Sequence, residues 1–99
     1  MNTEISIIDN EFLRQFESEI EGDLAKIEYS SQDRKIFLTK LVMSEELKEK
    51  GYLDPFIAKV LEVIKERDIR VMPTSPAVAR FMRKHRRKYK DMLPVGINI

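Results

Sequence analysis

The stretch Lys48-Glu49-Lys50-Gly51-Tyr52-Leu53-Asp54-Pro55 is where this chain could hold an anion. It lies between a run of strand character and a run of helical character. The first turn of a helix offers backbone N–H groups with no internal partner at the positive end of the helix dipole. A glycine with flanking lysines is the composition that brings phosphate oxygens close to such amides. The same words carry a competing reading. Asp54 followed by Pro55 is a good N-cap and first-turn pair, so the protein's own carboxylate would take the donors that an external anion needs.

A second group of residues follows Met72-Pro73-Thr74-Ser75-Pro76. Ser75 caps a helix that opens at Pro76, or acts as a nucleophile if a base lies beside it. The sole histidine, His85, follows Phe81 by four residues and Met82 by three, which continues the inner stripe of that helix about three turns from Ser75. Residues 83–90 then carry six cationic side chains in eight positions. Such a run is a solvated face and a favourable charge at a helix C-terminus, or else a seat for a phosphate group or a nucleic-acid backbone. Tyr89 is available for stacking. The chain shows no recognised nucleic-acid motif, and nucleic acid is not the expected partner.

The elements that position these groups must come from one domain, residues 1–99, with an apolar fraction of 42% and a charged fraction of 35%. The chain has no cysteine and one histidine, so no disulfide framework and no metal centre is expected. No apolar run approaches the roughly 20 residues that span a bilayer, and the acidic start lacks the layout of a signal peptide, so no membrane is expected and the expected location is cytoplasmic. Net charge is +1 but uneven. Residues 1–50 hold 7 basic and 12 acidic side chains (about −5), and residues 51–99 hold 11 basic and 5 acidic (about +6). The halves pair with each other in one fold, or one surface attracts anions.

Residues 12–43 have short period. Ala25, Ile27 and Tyr29 alternate with Lys26, Glu28 and Ser30, which predicts a strand with one wet face between turns at 21–23 and 30–33. Residues 36–43 are apolar on both faces for most of their length and read as a central strand covered on both sides. Residues 12–20, with Phe16 and Ile20 on one face, complete a three-stranded antiparallel meander, and residues 4–8 add an edge strand. Ser44 caps a short turn over Glu45, Glu46 and Leu47. The period then turns helical: Phe56, Ile57, Val60, Leu61 and Ile64 share a stripe over residues 55–66, ended by Arg67-Asp68. Residues 69–73 form a buried strand, so central strand, helix and strand make a βαβ crossover. A second helix opens at Pro76 with Val78, Phe81 and Met82 inward. The fold class is α/β (α+β), a mixed sheet with helices.

From Phe16 to Leu93 the order and spacing of these words resemble the small single-domain GCN5-related N-acetyltransferases. The match runs from the acidic-Gly turn and Ala25-Lys26-Ile27-Glu28-Tyr29 strand, through the strand end at Thr39-Lys40-Leu41-Val42, the glycine loop, the helix and the short strand, to a basic helix with His and an aromatic. The resemblance implies the minimal acyl-CoA N-acetyltransferase fold, acetyl-CoA or CoA as cofactor, and an amine of a protein or small molecule as acceptor. It implies that the strand segment Leu41, Val42 and Met43 meets the pantetheine arm and thioester, and that Lys48, Lys50, Gly51, Tyr52 and Leu53 form the diphosphate loop. Lys48 stands where the family has Arg or Gln, Gly51 where it has its first required Gly, and Leu53 where it has Gly or Ala. Only Gly51 matches. Leu53 puts a branched side chain at the approach to phosphate, Asp54 adds a negative charge, and Pro55 removes a donor. Ser75 stands where the small relatives have a cysteine, which makes it the candidate catalytic residue, with Glu45 or Glu46 the nearest candidate bases. Two functions follow from the resemblance: an acetyltransferase-like protein with a degenerate cofactor loop, or a catalytically inactive module of the same fold that holds an acidic partner through its basic C-terminal helix.

Overall fold

Two tight hairpins set the sheet. Glu21-Gly22 (φ 50° and 83°) and Asp33-Arg34 (φ 50° and 62°) each put two consecutive residues at positive φ, the conformation that joins antiparallel strands with a two-residue turn. The computed structural model describes residues 5–94, 96 and 97. Its strands are β1 (Ile8–Asn10), β2 (Gln15–Ile20), β3 (Asp23–Gln32), β4 (Lys35–Val42) and β5 (Arg70–Pro73). They form one sheet in the order β1-β2-β3-β4-β5, antiparallel up to β4 and parallel between β4 and β5. The expected meander and crossover are therefore present, with shifted ends. The Asp33-Arg34 turn is so short that Ser30, Ser31 and Gln32 stay in the ladder opposite Phe37, Ile36 and Lys35, where a loop at 30–33 was expected. Phe12 is not in a strand. Arg14 at φ 54° and a bond from the Leu13 amide to Asn10 Oδ1 (3.0 Å) make a turn of residues 11–14 and leave Phe12 exposed. The edge strand lies at Ile8–Asn10 rather than at 4–8, of which residue 4 falls outside the described residues.

The helices are α1 (Glu45–Glu49), α2 (Leu53–Glu66), α3 (Pro76–Lys84) and α4 (Arg86–Tyr89), followed by a 3-10 turn at Lys90–Met92. One core joins Phe16, Ile20, Ile27, Ile36 and Leu38 of the sheet to the predicted α2 stripe, all five residues of which are buried, and to Val78, Phe81 and Met82 of α3. Burial on β4 corrects the reading of a strand covered on both faces. Phe37 is only half-buried and Val42 is 37% exposed, on the side where Leu24 and the Lys26–Glu28 ion pair (3.5 Å) also lie open. A sheet with one dry face and one wet face is sufficient for an antiparallel meander.

β4 also changes face halfway. Ile36 and Leu38 point into the core, and farther on Leu41 and Met43 do. The cause is a bulge: Leu38 pairs with Tyr29 and Lys40 with Glu28, so Thr39 is an extra residue, and its Oγ1 donates to the Glu28 carbonyl (3.2 Å).

The helix α3 ends one residue before His85, whose φ of −113° and ψ of 41° break the helix. His85 thus does not continue the inner stripe. It is exposed, with its ring 4.6 Å from Phe81, and Tyr89 of α4 takes the inner place, 3% exposed and 5.5 Å from Phe81. Burial removes Tyr89 from the side chains available for stacking on a ligand.

Candidate functional site

The candidate site begins where β4 and β5 part. Their pairing ends at Leu38 opposite Pro73, and the Ser75 amide donates to the Leu38 carbonyl at 2.7 Å. Beyond that bond the chain turns away into α3, so among the described strands Thr39–Val42 have a neighbour on the β3 side alone. This leaves a short edge of peptide groups, with Leu41 half-buried and Val42 partly exposed along it and Met43 buried just past its end. Such an edge can pair with an extended, amide-bearing chain laid beside it.

The loop after β4 is built differently from the expectation. Ser44 caps α1 as predicted, accepting from the Leu47 amide at 3.2 Å. At the other end of α1, Gly51 adopts φ +86°, its amide donates to Lys48 O (3.0 Å), and the Tyr52 amide donates to Leu47 O (3.1 Å). That pair of bonds is the glycine-terminated helix end that satisfies the last carbonyls of a helix. The Lys50 amide is also used, donating to Glu46 O at 3.1 Å. Gly51 therefore serves to stop α1, and the amides of Lys50, Gly51 and Tyr52 are all engaged within the chain. Because the chain turns so early, α2 starts at Leu53 with Tyr52 at its cap position and no side-chain cap bond. Asp54 is consequently not the N-cap. It sits in the first turn and pairs with Lys84 of α3 at 3.0 Å.

The lysines of the loop are engaged as well. Lys50 Nζ lies 2.6 Å from Glu21 Oε1 and 3.4 Å from Glu46, and the Tyr52 hydroxyl donates to Glu21 Oε2 at 2.7 Å. Lys48 lies 3.5 Å from Glu45. The Lys50 hydrogen bond, and after it the Tyr52 one, holds the Glu21 carboxyl below its ordinary range, and the Glu21 bond holds the Lys50 ammonium above its own. Leu53 is half-buried and packs against the core.

Ser75 stands at the fork itself, 2% exposed, in the extended conformation of an N-cap residue but with no side-chain cap bond. His85 closes the far end of the nine-residue α3, about 14 Å along the axis at 1.5 Å per residue. It cannot serve Ser75 as a base, and a serine hydroxyl without a base remains a neutral alcohol.

The structure thus sets Ser75 against Leu38 at the parting of the strands, leaves Leu41, Val42 and Met43 farther along β4, and joins Lys50 and Tyr52 to Glu21 while Lys48 pairs with Glu45. Two placements escaped the sequence reading, that of Thr39 as the bulge residue and that of Glu21 as the partner of the loop. Thr39 had a signal, the polar pair Thr39-Lys40 interrupting an apolar run. Glu21 had none, since its partners lie 29 and 31 positions away. The edge fits the amide-bearing arm of a CoA thioester. In the loop, Lys50, Gly51 and Tyr52 spend their amides within the chain, and Asp54, paired with Lys84, brings a carboxylate to the first turn of α2.

No curated protein matches the chain. A family model described as GCN5-related N-acetyl-transferase matches residues 15–92, from the first residue of β2 to the end of the 3-10 turn, and the chain belongs to that family.

Proposed function

We propose that this is an acetyl-CoA-dependent N-acetyltransferase-like protein with a degenerate cofactor loop, in which the cofactor is held chiefly along the free edge of β4 and only weakly at its diphosphate. The observation that carries this reading is the parting of β4 from β5 after Leu38. A bound acetyl thioester supplies an activated acyl group for an amine. The peptide groups of Leu41, Val42 and Met43 orient the arm that bears it, an entropic contribution that needs no ionisable side chain. Glu45 and Glu46 are exposed and ion-paired with Lys48 and Lys50, and in this reading the amine arrives deprotonated and loses its second proton to water.

A second reading, an inactive member of the same fold acting as a binding module, is favoured by the consumed loop amides. Calorimetric titration separates the two. Acetyl-CoA and acetyl-pantetheine should bind the wild type with similarly weak affinity, because the diphosphate adds little. Leu53→Gly with Asp54→Ser should strengthen acetyl-CoA by about tenfold, or about 1.4 kcal/mol, and leave acetyl-pantetheine unchanged. No heat from either ligand, together with no acetyl transfer to an amine, would sink the acetyltransferase reading and leave the module.

A further inference from the structure

The cations of α3 and α4 are of two kinds. Lys84 is paired with Asp54, and Lys88 lies 5.5 Å from the centre of the Tyr89 ring. Arg80, Arg83, Arg86 and Arg87, with Lys90 of the following 3-10 turn, are exposed and, among the described residues, have no carboxylate within 4.0 Å. Residues 76–90 contain no acidic side chain at all. The break at His85 bends this strip, and Lys84, His85, Arg86, Arg87 and Lys88 line an open recess of about 440 Å³. A second cavity of about 350 Å³ shares Lys84, His85 and Lys88 with it and takes the rest of its wall from Pro55, Ala58, Phe81, Tyr89 and Asp54, whose carboxylate is paired with Lys84. Like charges held together without counter-charge repel one another, and an anionic ligand relieves that repulsion.

We propose that this surface docks an acidic polypeptide segment bearing one apolar anchor residue, with its carboxylates on Arg83, Arg86 and Arg87 and its anchor in the cavity beside Ala58. Guanidinium forks bind carboxylates in two-point fashion, and the adjoining wall rewards an apolar side chain with burial. A nucleic acid suits the place less well. Phe81 and Tyr89 are 5% and 3% exposed, so neither ring is free to stack on a base. A duplex is also stiff over about 150 base pairs. It would overrun a patch of some 15 residues onto a protein whose first half carries 12 acidic against 7 basic side chains. A short flexible acidic segment can end where the patch ends.

Fluorescence anisotropy with a short labelled Glu-rich peptide containing one central Phe tests this, beside the same peptide with Ser for Phe and a short labelled duplex DNA. The Phe peptide should bind about tenfold tighter than the Ser peptide, the effect of burying part of one aromatic ring. Arg83→Gln with Arg86→Gln and Arg87→Gln, all at exposed positions, should weaken both peptides by about tenfold or more and flatten their salt dependence. Ala58→Gln, which fills the cavity from a half-buried site, should erase the advantage of Phe and leave the Ser peptide unchanged. Lys35→Gln, at the start of β4, should change nothing, and circular dichroism should report the same fold for every variant. Equal binding of the two peptides, tighter binding of the duplex, indifference to the arginine changes, or displacement of the peptide by acetyl-CoA would each overturn the assignment.

Discussion

Arg67, which closes α2, places a guanidinium nitrogen 2.7 Å from a carboxylate oxygen of Asp9 on the edge strand β1. The other Asp9 oxygen accepts the Tyr29 hydroxyl at 2.6 Å, and the guanidinium stands 5.6 Å from the centre of the Phe16 ring. A three-residue strand at the rim of a sheet has little pairing of its own to hold it. Asp9 therefore fastens β1 to both the sheet and the helix. Asp9→Ala should destabilise the fold by about 1.5–3 kcal/mol, the range for charge-assisted hydrogen bonds, as read from urea unfolding. A loss of only a few tenths would mean that β1 is held by something else.

The same carboxylate governs the Tyr29 phenol. Burial first, and the Asp9 hydrogen bond second, push its pKa up to about 12 from an ordinary 10.0. A raised folded value means that its contribution to stability is complete below about pH 10 and is lost as pH rises through about 12. Ultraviolet titration should show the Tyr29 transition late. Asp9→Asn should move that transition down without restoring the ordinary value, since burial remains.

Glu21 and Lys50 set an opposite pair of limits. The lowered Glu21 value gives stability that is present above about pH 4.5 and lost as pH falls through its folded value, while the raised Lys50 value gives stability present below about pH 10.5 and lost as pH climbs past its own. In Glu21→Gln the acid limit should vanish, and the alkaline limit should shrink to what Glu46 still supports. Carboxyl chemical shifts followed by NMR across acid pH check the first limit directly: a Glu21 midpoint at or above the ordinary value would show that the link to Lys50 and Tyr52 does not persist in solution.

At the β3–β4 turn, Asp33 and Arg34 both hold positive φ without being glycine. Left-handed backbone costs an ordinary residue about 1 kcal/mol or more, and glycine nothing, though glycine also loosens the unfolded chain. Arg34→Gly should stabilise the protein by about 0.5 kcal/mol and raise its Tm by a few degrees. The Arg34 carbonyl, which accepts from the Arg70 amide at 3.0 Å, is unaffected by the change. A fall in Tm would assign a stabilising role to the arginine side chain.

Removing a serine N-cap ordinarily costs about 1 kcal/mol. Ser75 makes no such side-chain bond, and its contact with Leu38 is through the backbone. Ser75→Ala should therefore change stability by less than about 0.5 kcal/mol and leave any acetyl transfer at the wild-type rate. A tenfold fall in transfer with stability intact would make the hydroxyl a participant after all.

The helical stripe from Phe56 to Ile64 and the alternation around Ile27 were legible because burial on one face writes a period into the sequence. The crossover followed from their order. What stayed hidden were positions fixed by backbone conformation rather than by side-chain type. Asp54-Pro55 has the local look of a helix start, yet Gly51 at positive φ ends α1 so abruptly that α2 begins before it. His85 sits at helical spacing from Phe81, but spacing says nothing of a break at that residue. Ser30 to Gln32 resemble a loop by composition and are held in the ladder by the tightness of the turn beyond them. The poor match of the cofactor loop was readable from Leu53, Asp54 and Pro55. The pairing of Lys50 with Glu21 was not, because Glu21 reaches it only once the sheet has formed.

An unpaired edge inside a sheet is also an invitation to the wrong guest, since another extended chain can add itself there and build outward. The bulge at Thr39 throws β4 out of flat register where that edge opens, and Lys40 beside it is exposed. A full strand from a second molecule would have to follow the kink and cover the ammonium group. A short arm that stops within a few peptide groups need do neither. The bulge that kinks the edge therefore favours a short occupant over a full strand, which is one way an open edge is guarded against polymerisation.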